Sequence, residues 1–228
     1  MSTAITGISS MATRAILGEL SKGYEQASGA EVDIRSMGGV DAAKLVRAGE
    51  VTDVVVLASG VMAQLEAEGH LLAGGVRGVT RSGMAIVVRS GLPHPDIGSE
   101  DAVRRAVTAA RKVGYSTGPS GDHLLKLCET WGLAPDDDRL VKAPPGVPVG
   151  ALVARGDADL GFQQLSEFLG VEGIEVLGPL PPEIQAVTVF AAGVASASTQ
   201  PDAARALIAY LTSPETADTK RRHGMDPA

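Results

Sequence analysis

The sequence predicts an α/β fold built from two successive sets of strands and helices. Short β-type runs alternate with helical patterns along the chain, an order typical of sheets assembled with right-handed crossovers. Residues 53–57 read Asp-Val-Val-Val-Leu, a continuous apolar run after its first residue, as expected of a strand buried on both faces of a parallel sheet. A second alternating set begins at residue 84, which indicates a second α/β lobe.

The first set is defined by three predicted strands and three predicted helices. The strands are expected at residues 4–9, 31–36 and 53–57, and the helices at residues 11–28, 40–48 and 61–68. The helices are followed by Gly29, Gly49 and Gly69. Glycine is common just beyond a helix because it adopts the left-handed conformation without a Cβ clash. The three glycines therefore agree with the predicted ends of the three helices.

The second set is read in the same way. Strands are predicted at residues 84–88, 113–116, 160–162 and 187–190. Helices are predicted at residues 99–112, from the turn at 118–121 through 131, at 150–155, at 166–169 and at 202–211. Ser99 is predicted to cap the first of these helices, because serine oxygens accept hydrogen bonds from the free N–H groups of a first turn.

Composition excludes several classes of function. The 228-residue chain carries a net charge of −7, and its basic residues are dispersed. Because a phosphate-backbone binder needs a positive face, we expect no nucleic-acid partner. Cys128 is the only cysteine, so an intramolecular disulfide is excluded. No run of about 20 apolar residues is present, so we expect a protein that is not embedded in a membrane.

The cellular location stays open at this point. The first seven residues lack the basic and apolar regions of a secretory signal. The protein is therefore expected to be periplasmic if a signal peptide was trimmed, and cytoplasmic if Met1 is native.

Two strand-to-helix junctions are candidates for anion binding. Ser9, Ser10 and Met11 follow the first strand, and Ser120 and Gly121 follow the strand at 113–116. Helix starts expose unpaired N–H groups and a partial positive charge, which favour a bound carboxylate or oxyanion. Either junction alone is also explained by ordinary helix capping. Both, however, lie at the carboxyl ends of strands, where open α/β sheets bind ligands.

Other single residues have a functional and a structural interpretation. Gly38 and Gly39 bring backbone N–H groups close to a ligand, or form a plain turn. Arg81 pairs with a carboxylate, or is a solvated surface residue. His123 is a candidate general base if the protein is an enzyme, since imidazole titrates near neutral pH. It is otherwise a partly buried polar residue.

The sequence predicts neither a metal nor a cofactor. His70, His94 and His223 are scattered, and no histidine, cysteine or acidic spacing matches a metal site. A phosphate loop, a dinucleotide fingerprint and a nucleophile elbow are all missing from the sequence.

Several segments together resemble the molybdate-binding-like type II periplasmic solute-binding proteins. These are residues 5–11, 53–56, 65–71, 119–121, 153–161 and 211–215, with Gly224 near the end. The resemblance implies two lobes, each a mixed, mainly parallel sheet flanked by helices. It places residues 1–82 and 191–228 in lobe 1 and residues 83–190 in lobe 2, with a ligand cleft between them. It also implies a monomer that is paired with an ABC transporter permease if exported.

The departures from the family pattern bear on the ligand. Molybdate binders of the family usually have a tyrosine after the second-lobe strand, where this chain has Gln163 and Gln164. His123 stands where a second family tyrosine is expected. Glutamine both donates and accepts hydrogen bonds, which suits an organic acid better than a tetrahedral metallate. A related group of periplasmic-type proteins isomerises aconitate, so the resemblance also implies an enzymatic alternative.

Three functions follow from this sequence. The leading hypothesis is a solute-binding protein that closes on a small anion, preferably an organic di- or tricarboxylate. The alternative is an isomerase that uses the same cleft for a 1,3-proton shift on a polycarboxylate such as aconitate. Arg81 would then orient a carboxylate, and His123 would move the proton. The third is a cytoplasmic ligand sensor.

Overall fold

The chain folds into two compact units in a computed structural model that describes residues 4–134, 136–144 and 146–228. The first unit comprises Met1–Ser82 and Thr188–Ala228, and the second comprises Gly83–Val187. Strand β4 (Arg77–Arg89) leads the chain out of the first unit, and β9 (Val187–Val194) leads it back. The question of a signal peptide concerns the first residues of the chain. Of these, residues 1–3 lie outside the described residues.

The first unit is built around three parallel strands. These are β1 (Ile5–Ser10), β2 (Val32–Met37) and β3 (Val54–Ala58), in the order β2-β1-β3. Strand β9 runs antiparallel to β3, and the short β10 (Asp226–Pro227) runs antiparallel to the first half of β4. In the parallel register Ser9 lies beside Ser36 on one side and Val56 on the other. The carboxyl ends of the three strands therefore share one edge of the sheet.

Helices cover both faces of this sheet. They are α1 (Arg14–Ser28), α2 (Gly39–Arg47), α3 (Ser59–Ala67), α7 (Pro201–Thr212) and α8 (Ala217–Arg222). Leu17 of α1 and Leu207 of α7 pack with Val54 and Val56 of β3, whereas α2 and α3 pack with Val55 and Leu57. Strand β3 is thus buried on both faces, which explains its continuous apolar sequence.

The second unit has a mixed sheet. Its strands are the second half of β4, β5 (Val113–Tyr115), β6 (Leu140–Lys142), β7 (Leu160–Gln164) and β8 (Ile174–Pro179). Strands β5, β6 and β7 are parallel, while β4 is antiparallel to both β7 and β8. Helices α4 (Glu100–Ala109) and α5 (Pro119–Thr130) pack on one face, and α6 (Val149–Arg155) packs on the other.

Local sequence explains most helix boundaries in this structure. The Ser99 oxygen accepts a hydrogen bond from the Ala102 N–H at 3.2 Å, which confirms the predicted cap of α4. The helix predicted from residue 11 instead begins as a short 3-10 turn, Met11–Thr13, before α1. The predicted turn at 118–121 was wrong in part, because α5 already begins at Pro119. Proline is favoured at the first helical position, where its missing N–H costs nothing.

Asp53 ties the first unit together just before β3. The residue is 3% exposed, and its carboxylate accepts hydrogen bonds from the Thr6 N–H (2.9 Å), Thr6 Oγ1 (3.0 Å), Ser198 Oγ (2.7 Å) and Gln200 Nε2 (3.1 Å). Burial alone would raise the pKa of Asp53, but these four bonds outweigh it and lower the pKa. The charged form therefore joins β1, β3 and the loop before α7.

We predict that Asp53→Asn destabilises the first unit by about 1–3 kcal/mol, because an amide group would face donors that need an acceptor. The lowered pKa adds a pH signature. The wild-type stability contributed by Asp53 is present above its unfolded-state pKa of about 3.9 and is lost as the pH falls through its folded-state pKa.

Urea unfolding at pH 7 and pH 3.5 measures both effects. Wild type should lose more stability between the two pH values than Asp53→Asn does. Asp33→Asn is the matched control, since Asp33 is exposed on the neighbouring strand and makes no side-chain hydrogen bond with the described residues. Equal pH dependence in wild type and Asp53→Asn would contradict this account.

Candidate functional site

The carboxyl edge of the first unit carries three helix starts that no side chain caps. Strands β1, β2 and β3 lead into the 3-10 turn, α2 and α3, and the capping residues are Ser10, Gly38 and Ala58. None of these three makes a side-chain capping hydrogen bond. The first N–H groups of a helix have no acceptor within the helix. The starts of α2 and α3 therefore favour an anion at this edge.

Five residues of this edge lie close together, and we call them the serine edge. They are Ser9, Ser10, Ser36, Gly38 and Gly39. The hydroxyl oxygens of Ser9 and Ser36 lie 2.8 Å apart, and Ser9 is fully buried. A Cβ placed on Gly39 would lie 3.9 Å from the Ser10 Cβ, so the start of α2 approaches the end of β1 closely. The structure thus brings the predicted first-lobe serines and glycines together.

Ser9 and Ser10 differ in how firmly their hydroxyl groups are held. Successive residues of a strand point to opposite faces. Ser9 bonds to Ser36 at a normal distance, whereas the Ser10 oxygen lies 3.4 Å from Thr13 Oγ1, which is long for a hydroxyl pair. Thr13 donates its own hydrogen to the Ser10 carbonyl at 3.0 Å. The Ser10 hydroxyl is therefore held less firmly by neighbouring groups than the Ser9 hydroxyl. Ser9 stabilises the serine edge through its hydrogen bond with Ser36.

Met11 and Arg81 occupy different positions in the first unit. Met11 is half-buried and begins the 3-10 turn that follows Ser10. Arg81 is exposed on β4, directly opposite Asp226 of β10, and neither side chain has an ion-pair partner among the described residues. Side chains directly opposite on antiparallel strands are neighbours. Arg81 makes no hydrogen bond or ion pair with the serine edge in the described part of the chain.

The corresponding edge of the second unit is the start of α5. The hydroxyl oxygens of Ser116 and Ser120 lie 3.2 Å apart, and Ser120 is buried. A Cβ placed on Gly121 would lie only 1.8 Å from the Ser116 carbonyl oxygen. Gly118 caps the helix with φ of 97°, a backbone region that favours glycine. Glycine at 121 is thus what lets α5 start directly against the end of β5.

His123 is held by the backbone of its own unit. Its Nε2 atom lies 2.8 Å from the Ile184 carbonyl oxygen. Because a carbonyl only accepts, Nε2 must carry the hydrogen, and the neutral ring keeps Nδ1 as its acceptor. Nε2 is therefore unavailable as a base while this bond stands. The predicted role of His123 in proton transfer stays a prediction that can involve Nδ1 alone.

The two predicted glutamines point to opposite faces of β7 and have different neighbours. Gln163 Oε1 accepts from the Val149 N–H at 3.1 Å, and Gln163 Nε2 donates to Glu167 Oε2 at 2.6 Å. Gln164 is equally buried but shares its face with Phe162 on the α5 side of the sheet. Both ends of the Gln163 amide are thus already engaged within the second unit.

Glu167 was missed by the sequence interpretation. It ends a 3-10 turn, Leu165–Glu167, directly after β7, and the residue is half-buried. Desolvation raises the pKa of Glu167 to about 8, although the hydrogen bond from Gln163 acts in the opposite direction. A carboxyl group with such a pKa exchanges protons near neutral pH. Nothing in the local sequence indicated this, because the shift arises from packing.

Two kinds of site are not found in residues 4–134, 136–144 and 146–228. No group of three or more histidine, cysteine or acidic side chains there is placed to hold a metal ion. The helices in the same ranges are all too short or too polar to cross a bilayer.

Comparison with known proteins identifies the family. A profile described as bacterial extracellular solute-binding protein matches residues 5–226. The chain belongs to this solute-binding protein family. One relative that aligns over nearly its full length is the aconitate isomerase of a Pseudomonas species. It is 36% identical over 99% of this chain and 88% of that protein.

Solved structures of solute-binding proteins confirm the fold. The periplasmic molybdate-binding protein of Azotobacter vinelandii superimposes with a TM-score of 0.81 at 16% identity, covering 97% of this chain and 98% of that one. A tungstate ABC transporter structure from Geobacter sulfurreducens gives 0.75 at 18% identity, covering 95% and 97%. The predicted type II periplasmic-binding-protein fold and the suspected family are thus confirmed. At these identities the likeness concerns the fold, and it says nothing about the ligand.

We predict that Gly121→Ala destabilises the second unit by about 2 kcal/mol, because the new methyl group would overlap the Ser116 carbonyl and push α5 away from β5. Thermal or urea unfolding measures the loss. Gly18→Ala is the matched control, since Gly18 lies in α1 with nothing within 4 Å of a new Cβ. That change should be neutral or stabilising by up to about 1 kcal/mol. A Gly121→Ala protein as stable as wild type would show that the close approach is not a constraint.

Proposed function

We propose that this solute-binding protein takes a small organic di- or tricarboxylate, and that the serine edge of the first unit contributes to binding. The observation that carries the proposal is the serine edge, where uncapped helix starts meet the lightly held hydroxyl group of Ser10. Neutral N–H and O–H donors bind a carboxylate through charge-assisted hydrogen bonds, which are about twice as strong as neutral ones.

The choice of a carboxylate over a metallate is supported by three points. Arg81 is exposed and without an ion-pair partner among the described residues, and a guanidinium matches the two oxygens of a carboxylate. Glutamines replace the tyrosine that the molybdate-binding pattern leads one to expect after β7. The relative at 36% identity is named for aconitate, a tricarboxylate, whereas the molybdate and tungstate structures match at 16% and 18%.

The family supports a transport role as well. The family is described as bacterial extracellular solute-binding protein, which supports capture of a solute for transport, so an ABC transporter permease is the partner we propose for an exported form. This role requires only reversible binding of the solute.

A second candidate function is isomerisation of the same ligand class. It is favoured by the match to aconitate isomerase, which extends over nearly the whole of this chain. A 1,3-proton shift removes a proton from one carbon, moves the double bond by one position and returns a proton to the far carbon. The reaction has no net oxidation and needs no cofactor, so a base and an oriented carboxylate suffice.

We predict that trans-aconitate or citrate binds with measurable heat in titration calorimetry and raises the melting temperature, because a ligand specific for the folded state stabilises it. Ser10→Ala should weaken binding about 10-fold or more, the cost of one hydrogen bond to a charged group. Ser9→Ala should weaken binding less, because the Ser9 hydroxyl group is already hydrogen-bonded to Ser36. Ser90→Ala, an exposed serine outside both edges, should bind like wild type. Binding of molybdate with no binding of any polycarboxylate would overturn the proposal.

We predict that wild-type protein converts trans-aconitate to cis-aconitate, followed by proton NMR, because the match to an aconitate isomerase extends over nearly the whole chain. Ser90→Ala should convert it at the wild-type rate. If calorimetry shows binding and NMR shows no conversion, the second candidate is wrong and the binding function stands.

A further inference from the structure

Glu167 stands at a position where a sheet of this type presents its reactive groups. It is the last residue of the turn that follows β7, at the carboxyl edge of the parallel strands β5, β6 and β7. Ligands of open α/β sheets bind outside this edge. The residue as a whole is half-buried, although its carboxyl group is surrounded mainly by protein.

The Glu167 carboxyl group is anchored through one oxygen only. The Val149 N–H fixes the Gln163 amide by binding its Oε1, and this directs Gln163 Nε2 to Glu167 Oε2 at 2.6 Å. Glu167 makes no other hydrogen bond or ion pair among the described residues, so Oε1 is left for a partner from outside. The group is therefore positioned by the protein but not saturated by it.

Among the described residues, the charged side chains of the neighbouring elements α6 and β8 form no ion pair with Glu167. Arg155, the only charged residue of α6, lies at the far end of that helix and bonds to Asp157. Glu175, the only charged residue of β8, bonds to His94 and to the Gly91 N–H. Desolvation consequently dominates, and the pKa of Glu167 is raised to about 8.

We propose that Glu167 is the residue that carries the proton in the isomerisation of a polycarboxylate. The proposal rests on the second candidate function given above. It differs from the sequence-based assignment of His123, whose Nε2 is engaged by the Ile184 carbonyl.

The proton transfer can be written without any co-reactant. Ionised Glu167 takes a proton from a methylene carbon of the substrate, and the C–H electron pair becomes part of a new C=C bond. The π electrons of the old double bond then form a C–H bond at the far carbon with the proton returned by Glu167. Substrate and product are isomers, nothing is oxidised or reduced, and Glu167 ends ionised as it began.

Glu167→Gln tests the proposal because the amide keeps an oxygen for the Gln163 N–H but cannot accept a proton. We expect kcat to fall at least about 100-fold, the usual contribution of a positioned acid or base, while the calorimetric Kd for trans-aconitate changes less than about threefold. Glu172→Gln is the matched control, since Glu172 is exposed nearby in sequence and makes no side-chain hydrogen bond with the described residues. It should retain wild-type kcat.

A second variant and a pH profile guard against a merely structural effect. Glu167→Asp keeps the carboxylate one methylene shorter, so it should recover part of kcat if its melting temperature matches wild type. In wild type, kcat/KM should rise with pH up to about 8, because the ionised carboxyl is the base. In Glu167→Gln the residual activity should lose this rise.

The outcomes separate the two proposals. Retention of kcat by Glu167→Gln, with wild type active, would overturn the role of Glu167 and leave the isomerase function intact. Absence of conversion by wild type would overturn both the isomerase function and the role of Glu167. The calorimetric measurement of binding would stand independently in either case.

Discussion

The unsatisfied backbone N–H groups at helix starts are the constraint on which the proposed function depends. Helices α2 and α3 begin within one residue of the preceding strand and α5 begins three residues after β5, and the residue before each helix makes no side-chain capping bond. Helix α4 follows a loop instead, and Ser99 caps it. Because uncapped N–H groups must find an acceptor, the edges that carry them favour an anion. The sheet and its buried core serve to hold these helix starts in place, as the close approach of Gly121 to Ser116 illustrates.

Much of the fold could be predicted from the sequence, for physical reasons that differ by element. The valine run of β3 identified a strand buried on both faces, and Ser99 identified a helix start. The strands β6, β8 and β10 were missed. Segments of two or three residues, such as β6 and β10, are too short to show a period, and the six residues of β8 do not alternate regularly between buried and exposed positions. The first turn of α5 was assigned to a turn, because Gly-Pro-Ser-Gly also matches turn chemistry. Tertiary contact with β5 decided in favour of the helix.

The site was less predictable than the fold. Ser10, Gly38 and Gly39 were expected from their places after strands, and the structure brings them together. The different hydrogen bonding of Ser9 and Ser10 could not be predicted from the sequence, since it depends on Ser36, which lies beside Ser9 on the neighbouring strand. Glu167 carried no local signal at all, because its raised pKa comes from burial beside Gln163. Properties that arise from packing between distant segments are those that sequence patterns do not encode.

The most direct test of the central claim is a crystal structure of the protein grown with trans-aconitate. The account predicts a ligand carboxylate oxygen within about 3.2 Å of both the Ser10 hydroxyl and the N–H groups that open α2, beginning at Gly39. A ligand bound at any place that leaves these donors to water would contradict the claim that the helix starts of the serine edge form the anion site.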